Sequence, residues 1–163
     1  MELKPFEPAV QALAEALRAR GWRIATAESC TGGLAAAACT MVAGSSDWFE
    51  RGWVSYSNAA KTELLGVPAA LIAAHGAVSE PVARAMARGA VAHARAQVAV
   101  AVTGVAGPGG GSADKPVGTV WFGWQLPGRT ETECRRFDGD RAAVRAQTVA
   151  HALAGLVRRI AAG

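Results

Sequence analysis

The segment TAESCTGG, residues 26–33, sets a serine, a cysteine and a threonine beside two glycines, where an apolar stretch gives way to an alanine-rich one. A hydroxyl at such a strand-to-helix turn lies among backbone amides and at the positive end of the helix dipole. The setting suits Ser29 to attack a carbonyl carbon while amides of Thr31, Gly32 and Gly33 hold the oxyanion that forms. It equally suits a helix cap made by the Ser29 or Thr31 side chain. A second segment, YSNAAK at 56–61, holds the only tyrosine, Tyr56, and one of only three lysines among 17 basic residues. Arginine keeps its proton, whereas lysine gives it up when buried or crowded by positive charge. With Asn58 as cap, Lys61 takes the third helical position, where the dipole opposes an ammonium and favours a neutral amine that acts as a base. Tyr56 would then orient the pair or relay a proton between them. An exposed Lys61 beside a packed Tyr56 is the plainer alternative.

Two further segments bear on binding. TGVAGPGGG, from Thr103, follows an apolar run but lacks both the dinucleotide fingerprint and the ending of a phosphate loop, and Lys115 is badly placed to repair it. Through Thr103, Gly104, Ala106 and Gly107 it either shapes a nucleotide pocket or makes a flexible turn. In FDGDRAAVR, Arg141 and Arg145 are four apart on a helix face that continues into Val149 and Leu153. They aim at a pocket, a phosphate or a subunit interface, unless they pair with Asp138 and Asp140. Cys30 is a rival nucleophile, with His75 as its base, although a small buried thiol is the commoner state of such a residue. Neither the three histidines nor the three cysteines have metal-ligand spacing.

Positioning these residues takes strands that end in turns. Apolar periodicity predicts helices over 8–20, 34–42, 59–65, 68–74 and 80–95, with Asn58 and Ser79 as caps, and a terminal helix begun by Asp138-Gly139-Asp140. Strands are predicted over 22–27, 52–57, 98–103, 118–126 and 130–137, the last two joined by a Pro127-Gly128 hairpin turn. The run at 98–103 is apolar throughout, as in a central strand covered on both faces. Strands alternating with helices and then a hairpin imply a three-layer α/β/α sandwich with a mixed, largely parallel sheet. The three turns should gather at its carboxyl edge, where ligands bind.

The 163 residues fit one domain, 1–163, able to bury roughly 70% of its unfolded surface without a metal or disulfide staple. Hydrophobic residues at 51% and charged ones at 18% are globular values. The +4 charge is scattered and interleaved with acids, so it favours a small anionic substrate over nucleic acid. No apolar run approaches a membrane span, the N-terminus does not read as a secretory signal, and the odd number of cysteines suits a reducing, cytoplasmic setting.

In this order and spacing, AESCTGG, YSNAAK, TGVAGPGGG and FDGDRAAVR resemble the nicotinamide-nucleotide amidohydrolase family, which also forms the C-terminal domain of the competence/damage-inducible protein CinA. The resemblance runs from about residue 8 to 161. It implies the stand-alone form, with no molybdopterin-binding-like domain in front. It also implies deamidation of nicotinamide mononucleotide to nicotinic acid mononucleotide and ammonia, within pyridine-nucleotide recycling. The family's serine nucleophile carries over to Ser29, and its lysine and tyrosine partners to Lys61 and Tyr56. No metal or cofactor is implied; a homo-oligomer is. Two other functions stay open: a Cys30-dependent hydrolase and a non-catalytic nucleotide-binding module.

Overall fold

Short apolar runs alternate with longer amphipathic stretches, and the chain folds accordingly. In order it forms α1 (Glu7–Arg20), β1 (Ile24–Glu28), α2 (Leu34–Cys39), β2 (Phe49–Val54), α3 (Asn58–Leu65), α4 (Ala69–His75), α5 (Glu80–Ala92), β3 (Val98–Gly104), β4 (Thr119–Leu126), β5 (Arg129–Arg136) and α6 (Arg141–Ala162). The computed structural model describes residues 1–163. One sheet holds all five strands in the order β2-β1-β3-β4-β5. β2, β1 and β3 are mutually parallel, and β4 alone runs against its neighbours. Helices cover both faces, which gives the expected three-layer sandwich with a mixed, largely parallel sheet.

The sequence of β3, VAVAVTG, explains how the layers differ. Successive side chains on a strand point to opposite faces. Val98, Val100 and Val102 therefore enter one core with α1, α2 and α6, where Phe122, Trp124, Leu153 and Leu156 also lie. Ala99 and Ala101 enter the other, with Ala25 and Ala27 of β1 and Met86, Ala87 and Ala90 of α5. On this small-residue face α5 approaches at backbone distance. A Cβ on Gly123 would stand 2.5 Å from the Ala83 carbonyl oxygen, and one on Gly89 only 1.9 Å from that of Leu65. The second contact locks α5 to the end of α3.

Register sets the functional edge. Glu28 pairs with Val54 on one side and Val102 on the other, so the turns after β1, β2 and β3 open together. Several boundaries differ from expectation. β2 lies three residues earlier than 52–57, because Glu50 and Arg51, which resemble loop residues, sit on an edge strand and pair with each other at 2.6 Å. β1 starts later and runs through Glu28. α2 stops at Cys39 and α5 at Ala92. The cap of α3 is Ser57 and not Asn58, since the Ser57 Oγ accepts from the Ala60 N–H at 3.0 Å. α6 begins at Arg141, capped by the Asp140 carboxylate on the Ala143 N–H.

Because Gly89 admits the Leu65 carbonyl, Gly89→Ala should force α3 off α5. Overpacking of this kind costs about 1–3 kcal/mol, which thermal denaturation would read as a Tm lower by about 3–10 °C at this chain length. An unchanged Tm would contradict the close approach.

Candidate active site

β1 is buried to its last residue, and that residue is Glu28, 1% exposed. A carboxylate without water needs donors. The Thr31 hydroxyl donates to its Oε1 at 2.5 Å, and the N–H groups of Ala35 and Ala36 donate at 2.8 and 3.0 Å. The strand thus caps the helix that follows it, with its negative charge at the positive end of α2. Sequence reading overlooked Glu28. Its signal was an acid closing an otherwise apolar strand, where only the next helix could supply donors.

Ser29 comes next and is held by its backbone: its N–H donates to the Val102 carbonyl at 3.1 Å, and its carbonyl accepts from the Gly32 N–H at 3.1 Å. Gly32 and Gly33 have φ of +58° and +103°, left-handed values that glycine adopts without strain. The N–H groups of Cys30, Thr31 and Gly33 have no oxygen acceptor in the chain. Of the three amides expected to be open, that of Gly32 is therefore occupied, and those of Thr31 and Gly33 are not.

Lys61 enters from α3 at the fourth helical position, one later than expected, because Ser57 is the cap. Its side chain is 1% exposed and folds back past the start of its own helix. The Nζ lies 3.1 Å from each of Ser29 Oγ, the Ser55 carbonyl and the Tyr56 carbonyl. An ammonium would donate to all three. A neutral amine donates two protons to the carbonyls, and its lone pair is left for the Ser29 hydroxyl. Burial holds the Lys61 pKa below the usual lysine range, opposed in part by Cys30.

Tyr56 touches the pair through its backbone only. Its carbonyl accepts from Lys61 and from the Ser29 Oγ, the latter at 3.4 Å. The phenol is bonded to neither, and accepts instead from Arg141 Nη2 at 3.3 Å. Ser29 and Lys61 meet directly, with the phenol not between them. Arg141 also donates to the Gly107 carbonyl at 2.9 Å, tying the glycine-rich loop to the site. Arg145 donates from Nε to the Cys30 carbonyl at 3.2 Å and from Nη2 to the Thr31 carbonyl at 3.0 Å. Neither arginine bonds Asp138 or Asp140; both reach the functional edge, and Arg145 holds the nucleophile turn.

The other expected binding residues divide. Thr31 is buried with its hydroxyl committed to Glu28. Thr103 is likewise buried, and its hydroxyl donates to the Ala77 carbonyl at 2.9 Å, in the connection before α5. A Cβ on Gly104 would meet Val120 and the Thr119 carbonyl, so this glycine serves strand packing. Ala106, with Pro108, Val117, Gly139, Asp140 and Arg141, lines a cleft of about 480 Å³. The largest cleft, about 510 Å³, lies between α3, α4 and α5 and is lined by neither Ser29 nor Lys61. The Cys30 thiol is buried, which pushes its pKa up to about 11, away from the reactive thiolate. Lys115 donates to the carbonyl of His75, not to a site group. No set of three or more His, Cys, Asp or Glu residues stands close enough to hold a metal ion.

Fold and site together define a three-layer α/β domain with a buried serine–lysine pair at the carboxyl edge of its sheet. The family model of the CinA C-terminal domain matches residues 7–160, and the chain belongs to that family. It is 55% identical over 156 residues to nicotinamide-nucleotide amidohydrolase PncC of Pseudomonas putida, covering 96% of this chain and 98% of that one. Against the PncC of Escherichia coli K12 the identity is 56% over 142 residues, 85% of each chain. A solved CinA superfamily structure from Klebsiella pneumoniae, 44% identical, superposes with a TM-score of 0.92 over 96% of this chain and 98% of its own.

A lysine pKa lowered from 10.5 means that the neutral amine appears at lower pH than in a free side chain. The unfolded chain binds that proton more readily, so stability present above pH 10.5 is lost as pH falls through the folded-state value. Turnover should rise with pH as Lys61 deprotonates, then level off. Lys61→Arg keeps a charge but supplies no neutral amine, and should cost about 10²–10⁴-fold in kcat. A pH–rate profile of both proteins is the check; an arginine variant near wild-type activity would make Lys61 an electrostatic anchor.

Proposed function

We propose that this chain hydrolyses the carboxamide of nicotinamide mononucleotide, releasing ammonia and nicotinic acid mononucleotide, with Ser29 as nucleophile and Lys61 as base. The observation that carries the reading is the 3.1 Å contact between Lys61 Nζ and Ser29 Oγ, with the other two amine contacts on backbone carbonyls. The names of the relatives support a nicotinamide nucleotide as the substrate, and the pair supports the chemistry.

Neutral Lys61 takes the Ser29 proton as Oγ bonds to the carboxamide carbon. The amide oxygen gathers the negative charge beside the N–H groups of Thr31 and Gly33, which have no oxygen acceptor in the chain, each such donor contributing about 3–4 kcal/mol in related chemistry. The C–N bond breaks as Lys61 returns its proton to nitrogen, and ammonia leaves an acyl ester on Ser29. Water, deprotonated by the same amine, attacks that ester; the carboxylate leaves and the serine regains its proton. Arg141, beside the cleft that Ala106 and Pro108 line, receives the phosphate. We place the reaction in the cytoplasm, in the recycling of pyridine nucleotides, with neither metal nor cofactor. A Cys30-dependent mechanism fits less well, because the thiol is buried and held protonated.

Ammonia release from nicotinamide mononucleotide tests the reading. Ser29→Ala should abolish it with folding intact, and Cys30→Ala should retain it; the reverse pattern would establish the cysteine. The arginines should separate in kinetics. Arg141→Ala should chiefly raise KM for the nucleotide, whereas Arg145→Ala, which frees the Cys30 and Thr31 carbonyls, should chiefly lower kcat. Steady-state kinetics with the nucleotide and with nicotinamide riboside, which lacks the phosphate, would show whether the Arg141 effect depends on it.

A further inference from the structure

Of the ten aromatic side chains, Tyr56 alone is exposed, at 57%. The position is unusual for another reason. Its backbone carbonyl sits on the Ser29–Lys61 pair, while its hydroxyl is fixed by Arg141. The ring therefore spans the gap between the nucleophile and the basic group. It has no bond to the atoms that move protons, and the serine–lysine mechanism leaves it without a task.

Resting on the amidase reading, we infer that the Tyr56 ring is the platform on which the substrate's ring stacks, and that it selects a cationic heteroaromatic amide over a neutral one. Nucleophile, aromatic ring and arginine follow one another in this site. Carboxamide, pyridinium and phosphate follow one another in the nucleotide. In nicotinamide mononucleotide the ring nitrogen is bonded to ribose and carries a positive charge. A cation over the face of tyrosine is attracted by the ring quadrupole. The Arg141 guanidinium meets the phenol at its oxygen, so it orients the ring through a hydrogen bond without a place on its face being needed. Tyr56 is thus a specificity residue and takes no part in proton transfer.

Two variants and two ligands test this. The ligands are nicotinamide mononucleotide and the benzamide ribonucleotide, which has the same carboxamide and phosphate on a neutral ring. Tyr56→Phe keeps the aromatic face and loses the Arg141 bond, so kcat should stay within about threefold of wild type with a modest rise in KM. Tyr56→Leu keeps bulk without a π face, so KM for the cationic nucleotide should rise about five- to thirtyfold. The wild-type preference for the cationic over the neutral ligand, read as KM or as competitive Ki, should shrink by the same factor. Thermal denaturation of both variants confirms folding, which an exposed position should preserve. A loss of about 10²-fold or more in kcat for Tyr56→Phe would make the phenol a proton relay and overturn the inference. So would an unchanged ligand preference in Tyr56→Leu. Failure of the wild-type protein to release ammonia from the nucleotide would instead overturn the amidase reading, and this inference with it.

Discussion

An amine cut off from water must find every polar contact within the protein, and around Lys61 that requirement fixes two turns at once. The carbonyls of Ser55 and Tyr56 are drawn to its Nζ, so β2 ends where it does and α3 must start immediately afterwards. Ser55 in turn donates its N–H to the Glu28 carbonyl at 2.8 Å, which binds the lysine turn to the strand that precedes the serine. The Ser29 N–H is fixed to Val102 from the other side. Nucleophile and base thus meet by way of the sheet, with each turn anchored to the ladder next to it.

The charges near the pair are engaged elsewhere. A carboxylate beside a lysine ordinarily raises the lysine pKa by stabilising the ammonium. Glu28 is the residue before the nucleophile, yet its oxygens are taken up by Thr31 and by two amides of α2. Its charge is answered by the helix, and Lys61 forms no ion pair. Arg145, from α6, is likewise turned toward the Cys30 and Thr31 carbonyls. In the same turn the N–H groups of Cys30, Thr31 and Gly33 have no oxygen acceptor in the chain. Each charge next to the pair thus has another partner.

Much of this was legible in the sequence where local rules decide it. Val10, Leu13 and Leu17 on α1, and Val149, Leu153, Leu156 and Ile160 on α6, are buried as their spacing requires. The placement of Ser29, Lys61 and the Thr103 loop at one edge followed from strand-then-turn order. What escaped was decided by contacts distant in sequence or by a choice between equals. Ser57 and Asn58 are both good caps, and the one that takes the Ala60 N–H could not be told in advance. Arg145 reaches carbonyls more than a hundred positions away, and no spacing rule reports that. Position and resemblance set Tyr56 beside the pair as orienter or relay, but neither could say that its carbonyl would meet Ser29 and Lys61 while its phenol meets Arg141. In β3 the whole apolar run was read, but the alternation of valine with alanine, which separates the two layers, was not.

That alternation has a mechanical side. Where alanine and glycine bring α5 onto the sheet, backbone rests against backbone, and few torsions remain through which strain could be absorbed. The opposite layer is filled with Trp, Phe, Leu and Ile side chains that interlock just as closely, a Cβ on Gly155 of α6 standing 2.5 Å from the Trp124 ring. The two faces of the sheet are thus packed in different ways, and the site straddles the seam between them. Lys61 is mounted on the alanine-and-glycine side through α3, while both arginines ride on α6, on the aromatic side, so base and basic groups are brought together from opposite layers.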